Sequence, residues 1–208
     1  MAKYIVEFIG AFFLVFTIGM CVLEPGAGAM APLAIGLVLA VMIFSGGHIS
    51  GGHYNPAVTT AVTVRGKSPL AALPGYFIAQ LIAGAAASAL ALWFKGHPAP
   101  VPLAIDLPKA LAAEFLFTFA LTNTVLNVAT AKGTSGNSFY GLAIGTTVLA
   151  GAYAVGGVSG GSFNPAVTLG LFFMGKLGVA HVLAYVVTQL VAGIAAGALF
   201  RALNPDDK

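Results

Sequence analysis

Ser50-Gly51-Gly52-His53-Tyr54-Asn55-Pro56-Ala57-Val58-Thr59 returns almost letter for letter as Ser159-Gly160-Gly161-Ser162-Phe163-Asn164-Pro165-Ala166-Val167-Thr168. Both decapeptides are polar and glycine-rich, and both are set in strongly apolar surroundings. Their glycines interrupt any helix, yet each contains an Asn-Pro pair that can open one. Proline has the right φ for a first helical position and lacks only an amide hydrogen that would find no partner there. Inside a membrane, irregular backbone persists only where it is buried in protein or lines water. The two decapeptides are therefore candidate pore segments.

The rest of the chain makes a membrane the expected solvent. Its 208 residues are 59% hydrophobic and 7% charged, with a mean hydropathy of +0.96, a balance that no soluble domain of this size would carry on its surface. Net charge is +3, with nine Lys and Arg spread thinly, so the alkaline pI of about 9.1 reflects scarce acids and not a nucleic-acid face. The single cysteine, Cys21, excludes an internal disulfide and a cysteine metal cluster. No metal or cofactor is expected, and no nucleophile–base set or phosphate loop points to an enzyme. Lys3 followed by an apolar run resembles a secretion signal, but Glu7 within the run argues for a retained span.

A crossing helix needs about 20 mostly apolar residues. Six segments approach that length: Tyr4–Leu23, Met30–His48, Leu70–Phe94, Leu107–Thr130, Phe139–Val155 and Gly178–Leu203. Beyond each Asn-Pro lies a run too short to span, Asn55–Val64 and Asn164–Met174, each read as a re-entrant half-helix. One constant shift also aligns Leu33-Ala34-Ile35-Gly36 with Leu142-Ala143-Ile144-Gly145, Tyr76 with Tyr185, Gln80 with Gln189 and Gly84 with Gly193. The chain reads as one channel domain, 1–208, built from two repeats at about 1–100 and 104–208. Three spans per repeat is an odd number, so the second copy enters from the opposite side, giving an all-α inverted 3+3 architecture. The half-helices then face each other. With the N-terminus inside, Lys3, Arg65, Lys67, Lys132, Arg201 and Lys208 are cytoplasmic, and Lys95, Lys109 and Lys176 lie outside, which places both termini in the cytoplasm. Short loops and tails point to a bacterial inner (plasma) membrane. Glycines and alanines at helical spacing, as in Gly193–Gly197 and Ala83–Ala91, are read as close helix packing.

Two Asn-Pro-Ala boxes, six spans in an inverted layout and one Glu early in each half together resemble the aquaporin, or major intrinsic protein, family. The resemblance covers Tyr4 to about Leu203. It implies six tilted helices around a narrow channel, half-helices meeting at mid-membrane, and four subunits with a pore each, a homotetramer in the lipid bilayer. The boxes Asn55-Pro56-Ala57 and Asn164-Pro165-Ala166 would then set the central barrier. Each half-helix points the positive end of its dipole, about half an elementary charge, at the membrane centre. Two such ends repel cations and protons, and Asn amides holding a passing oxygen as acceptor break a proton wire, the general device of aquaporin-type pores. The alternative is that both Asn merely cap helices. Ser50, Gly51, Gly52, Ser159, Gly160 and Gly161 are expected to line the remaining path with backbone carbonyls.

Glu7 and Glu114 are carboxyls within spans, and they need partners there. As a proton relay they would define a secondary active transporter; by resemblance and duplication they are read as supports, each accepting amide hydrogens from the loop of its own half. His48 and His53 flank the first loop, where loop packing or a gate fits better than a metal. In the family, an outer constriction of four positions sets selectivity, usually with an aromatic residue and an Arg after the second box. The matching positions here are Ile35, Ala152, Gly161 and Val167, with Tyr153 the substitute for Ala152 if the register slips. Small, uncharged residues imply a filter wider than single-file water. The Asp that glycerol facilitators carry after the second box is absent, since Thr168-Leu169-Gly170 follow. The expected partners are therefore water and small uncharged solutes such as polyols, urea, ammonia or neutral metalloid hydroxides; a strict water channel is the alternative.

Overall fold

A computed structural model describes residues 1–207 of the chain. Eight α-helices follow in order: α1 Ala2–Val22, α2 Ala31–Ser50, α3 Pro56–Arg65, α4 Leu73–Phe94, α5 Leu107–Val125, α6 Tyr140–Ser159, α7 Pro165–Phe173 and α8 Val179–Leu203. No strand occurs among the described residues. Six helical stretches are long and apolar enough to cross a membrane, while α3 and α7, with ten and nine residues, are not.

The boundaries have local causes. α2 runs two residues past its expected end and α6 four, the latter because Gly156-Gly157 are tolerated inside the helix. Each stops at the next glycine, Gly51 or Gly160, in the left-handed conformation that lets a chain leave a helix. The expected Leu107–Thr130 span is present, but its last turn, Leu126–Thr130, widens to a π-helix. That widening leaves carbonyls for side chains to satisfy: Thr134 Oγ1 donates to Asn127 O and Asn137 Nδ2 to Val128 O, at 2.5 and 2.7 Å.

Packing pairs the two halves of the chain. α1 packs on α4 and α5 on α8 within each half; across the halves, α3 packs on α8 and α7 on α4. These crossings are close because glycine permits it. A Cβ on Gly193 of α8 would lie 2.5 Å from Ala57 O, and one on Gly84 of α4 would lie 2.7 Å from Ala166 O. Lys3 and Lys67 line one recess with Thr130, while Asp207 reaches Arg65 and Lys132, so both ends of the described chain lie on one face. Lys95, bonded to Pro25 O, and Lys176 lie on the opposite face; Lys208 is outside the described residues.

Candidate pore and its supporting network

The decapeptides adopt one backbone twice. Gly51 and Gly52 have φ of 90° and 63°, and Gly160 and Gly161 have 85° and 63°; Tyr54 and Phe163 follow at 49° and 47°. Left-handed φ is ordinary for glycine and costly for an aromatic residue, so the surroundings must hold the two aromatics in place. Both are buried at 1% exposure. Tyr54 lies where a Cβ on Gly10 would be, and its hydroxyl donates to Met42 O at 2.9 Å.

A buried carboxyl anchors each loop. Glu7 Oε1 accepts from Ser50 Oγ at 2.7 Å and the His53 amide at 2.9 Å, and its Oε2 accepts from the Tyr54 amide at 2.6 Å and Gln80 Nε2 at 2.7 Å. Glu114 repeats the pattern with Ser159 Oγ, the Ser162 and Phe163 amides and Gln189 Nε2, at 2.7, 3.0, 2.7 and 2.8 Å. Both Glu are 0% exposed, and neither lines a cavity described below. Gln80 and Gln189 also reach Thr59 Oγ1 and Thr168 Oγ1, at 3.0 and 2.9 Å. These glutamines and threonines were legible only as polar letters repeated inside apolar runs.

The boxes meet at the centre. Asn55 Oδ1 accepts from the Ala57 amide and Asn164 Oδ1 from the Ala166 amide, each at 2.8 Å, so both side chains cap their half-helices. Asn55 Nδ2 also donates to Phe163 O, and Asn164 Nδ2 to Tyr54 O, each at 3.0 Å. Capping and facing the path are therefore not alternatives. An amide nitrogen carries two hydrogens, so each Asn keeps a second one beyond this bond, and both Asn line the cavity described next.

One narrow cavity of ≈ 60 Å³ runs beside these residues. One wall comes from the loops: Gly52, His53, Asn55, Gly160, Gly161 and Asn164, with Val58 and Val167. The other is aliphatic, from Leu14 and Ile18 of α1, Ile35 and Leu39 of α2, Leu121 and Val125 of α5, and Ile144, Val148 and Ala152 of α6. The four expected filter positions all line this cavity, Ile35 and Ala152 from the aliphatic side and Gly161 and Val167 from the loop side. Tyr153 points elsewhere, its hydroxyl donating to Ala29 O at 2.9 Å. The cavity is flanked by wider ones, ≈ 430 Å³ on the face with the termini and ≈ 220 Å³ on the other.

One expectation needs correction: Ser159 is 0% exposed and lines none of these cavities. Ser50 and Ser159 each end a helix, and their carbonyls accept tyrosine hydroxyls, from Tyr76 at 2.7 Å and from Tyr185 at 2.8 Å. Ser50 and Gly51 line the wide cavity on the face of the termini, whereas Gly52, Gly160 and Gly161 line the narrow one. The two loop histidines also part company. His53 is buried, its Nδ1 is 3.2 Å from Thr59 Oγ1 and its ring centroid 4.9 Å from that of Tyr76, whereas His48 lines a separate recess with Tyr140 and Lys132.

Six spanning helices, two opposed half-helices and a narrow apolar passage define a membrane channel fold. The chain belongs to the major intrinsic protein family, whose family profile matches residues 1–152 and 110–207. It is 36% identical to the glycerol uptake facilitator protein-like 6 of Lactiplantibacillus plantarum, over 100% of both chains. It is 38% identical to nodulin-26 of Glycine max over 83% of this chain and 67% of that one. Its fold matches the aquaglyceroporin structure from Plasmodium falciparum with a TM-score of 0.82, 22% identity, and coverage of 98% and 97%. The protein is thus a multi-pass, aquaporin-like integral membrane channel of a family that passes water and small solutes.

Proposed function

We propose that this channel conducts water together with small uncharged solutes such as polyols, urea, ammonia or neutral metalloid hydroxides, and excludes ions and protons at the paired Asn-Pro-Ala boxes. The observation that carries the reading is the make-up of the narrow wall: two Asn amides, one imidazole, the loop residues Gly52, Tyr54, Gly160, Gly161 and Ser162, and aliphatic side chains, with no Asp, Glu, Lys or Arg. An ion stripped of water there meets too few replacement partners, and the positive half-helix ends oppose cations. Ile35, Ala152, Gly161 and Val167 form the filter in this reading, and Glu7 and Glu114 hold the loops. The names of a glycerol facilitator-like relative and an aquaglyceroporin of like fold support a polyol-sized solute. Two inverted repeats make one pore, four chains assemble into a homotetramer, and both termini face the cytoplasm of a bacterial cell.

Stopped-flow light scattering on proteoliposomes tests this. Water, urea and glycerol are expected to pass, without coupling to proton or sodium gradients. Passage of water with exclusion of every larger solute would overturn the wide filter; gradient-coupled uptake would make Glu7 and Glu114 the groups of a transporter.

A further inference from the structure

The segment joining the two halves, residues 95–106, has no regular structure, yet it is fastened over the face opposite the termini. Lys95 Nζ donates to Pro25 O. The Leu103 amide donates to Lys176 O at 3.0 Å, just beyond the end of α7. Pro100 lies against Gly175, where a Cβ would sit 2.7 Å from the proline ring. Three attachments bring one side chain inward. Leu103 Cδ1 lies 2.7 Å from where a Cβ on Gly160 would be, so glycine at 160 provides the room it occupies. Leu103 thereby lines the ≈ 220 Å³ outer cavity together with Ile35, Ala152, Gly160 and Leu171. Those four residues also line the narrow cavity, so Leu103 stands where the wide mouth passes into the narrow path.

We propose that Leu103 is a further specificity-determining side chain, which sets the largest solute admitted from the face opposite the termini. The proposal rests on the wide-filter reading above. Ala152 on α6 and Gly161 in the loop leave space at the constriction, and an isobutyl group beside Gly160 takes part of it back at the mouth. The group is also apolar, so a polyol passing it loses water without gaining a hydrogen bond. Water, being smaller, is less affected.

The test is proteoliposome permeability to water, glycerol and a five-carbon polyol for the wild type, Leu103→Ala, Leu103→Phe and Val101→Ala. Leu103→Ala is expected to raise the five-carbon polyol-to-water ratio by roughly three- to tenfold, and Leu103→Phe to lower it, since small barrier changes act exponentially on rate. Val101, exposed on the same segment, controls for loosening of the connector, and its variant should match the wild type. Retained water flux reports intact folding. Unchanged ratios in both Leu103 variants, or an equal rise in Val101→Ala, would overturn the proposal. If the wild type passes water alone, the wide filter fails by itself; Leu103→Ala then supports the proposal by admitting glycerol and overturns it by still excluding glycerol.

Discussion

Asn55 and Asn164 each make two structural hydrogen bonds, which need both an acceptor and a donor on one short side chain. Oδ1 caps a half-helix and one Nδ2 hydrogen joins the opposite loop; in the proposed function the second serves the path. Aspartate could cap but not donate, and alanine could do neither. Val58 and Val167 follow the boxes in equivalent places and line the same narrow cavity, but only the second belongs to the proposed filter with Ile35, Ala152 and Gly161. Val167→Arg would add a long cation at a site 3% exposed and fill space that Gly161 leaves. Glycerol flux should fall about tenfold or more, a barrier increase of ~1.4 kcal/mol or above, with a smaller loss of water flux. Equal loss of both in stopped-flow measurements would mean that Val167 does not shape the constriction.

At the scale of elements, the half-helices are held by the helices of the opposite half. Gly193 lets α8 rest on the Ala57 carbonyl, and Gly197 does the same beside Val64 and Ala61, so α3 has no room to shift. Gly193→Ala would force a Cβ to 2.5 Å from that carbonyl. The overpacking should cost about 1–3 kcal/mol, read as a lower unfolding temperature in detergent together with reduced water flux. Gly133→Ala, with no atom within 4 Å of the added carbon, should change neither. Most of this layer was legible in the sequence, because hydropathy marks spans and the Asn-Pro pair marks where a half-helix opens. Ser50 and Ser159 do make the local turn that a serine before glycine suggests, each Oγ accepting the amide two residues on. The sequence did not show that the same hydroxyl donates to a buried Glu and that the carbonyl accepts from a tyrosine of the next span. Such long-range pairing leaves no periodic trace. Leu103 was illegible for the same reason, since nothing in an irregular connector announces what it lies against.

At the scale of the whole molecule, the far end of the chain is tied back to the pore's supporting frame. Arg65 closes α3 with its guanidinium 4.5 Å from the Phe200 ring centroid, donating from Nε to Thr130 Oγ1 at 2.9 Å and from Nη2 to Thr130 O at 3.0 Å. The same group binds Asp207, with Nη2 to Oδ1 at 2.7 Å and Nη1 to the backbone oxygen at 2.8 Å. Asp207 Oδ2 takes the Lys132 amide at 2.7 Å, so one carboxylate links a half-helix, the π-helical end of α5 and the last described residues. The Lys132 amide first, and then the Arg65 guanidinium, hold the Asp207 carboxyl below its ordinary value of 3.8. A depressed carboxyl favours the attached state above its ordinary value and loses that preference as pH falls through the lowered one. Hydrogen exchange at the Lys132 amide should therefore be slow and constant from pH 8 to about 5, after correction for intrinsic rates, and should accelerate only below about 3.8. Asp207→Asn removes the charge while keeping the shape, and should raise that exchange at neutral pH on the order of tenfold, the effect of weakening one charge-assisted hydrogen bond. Exchange at Lys132 that is already fast at neutral pH in the wild type, or unmoved by Asp207→Asn, would show that the carboxylate does not hold this face together.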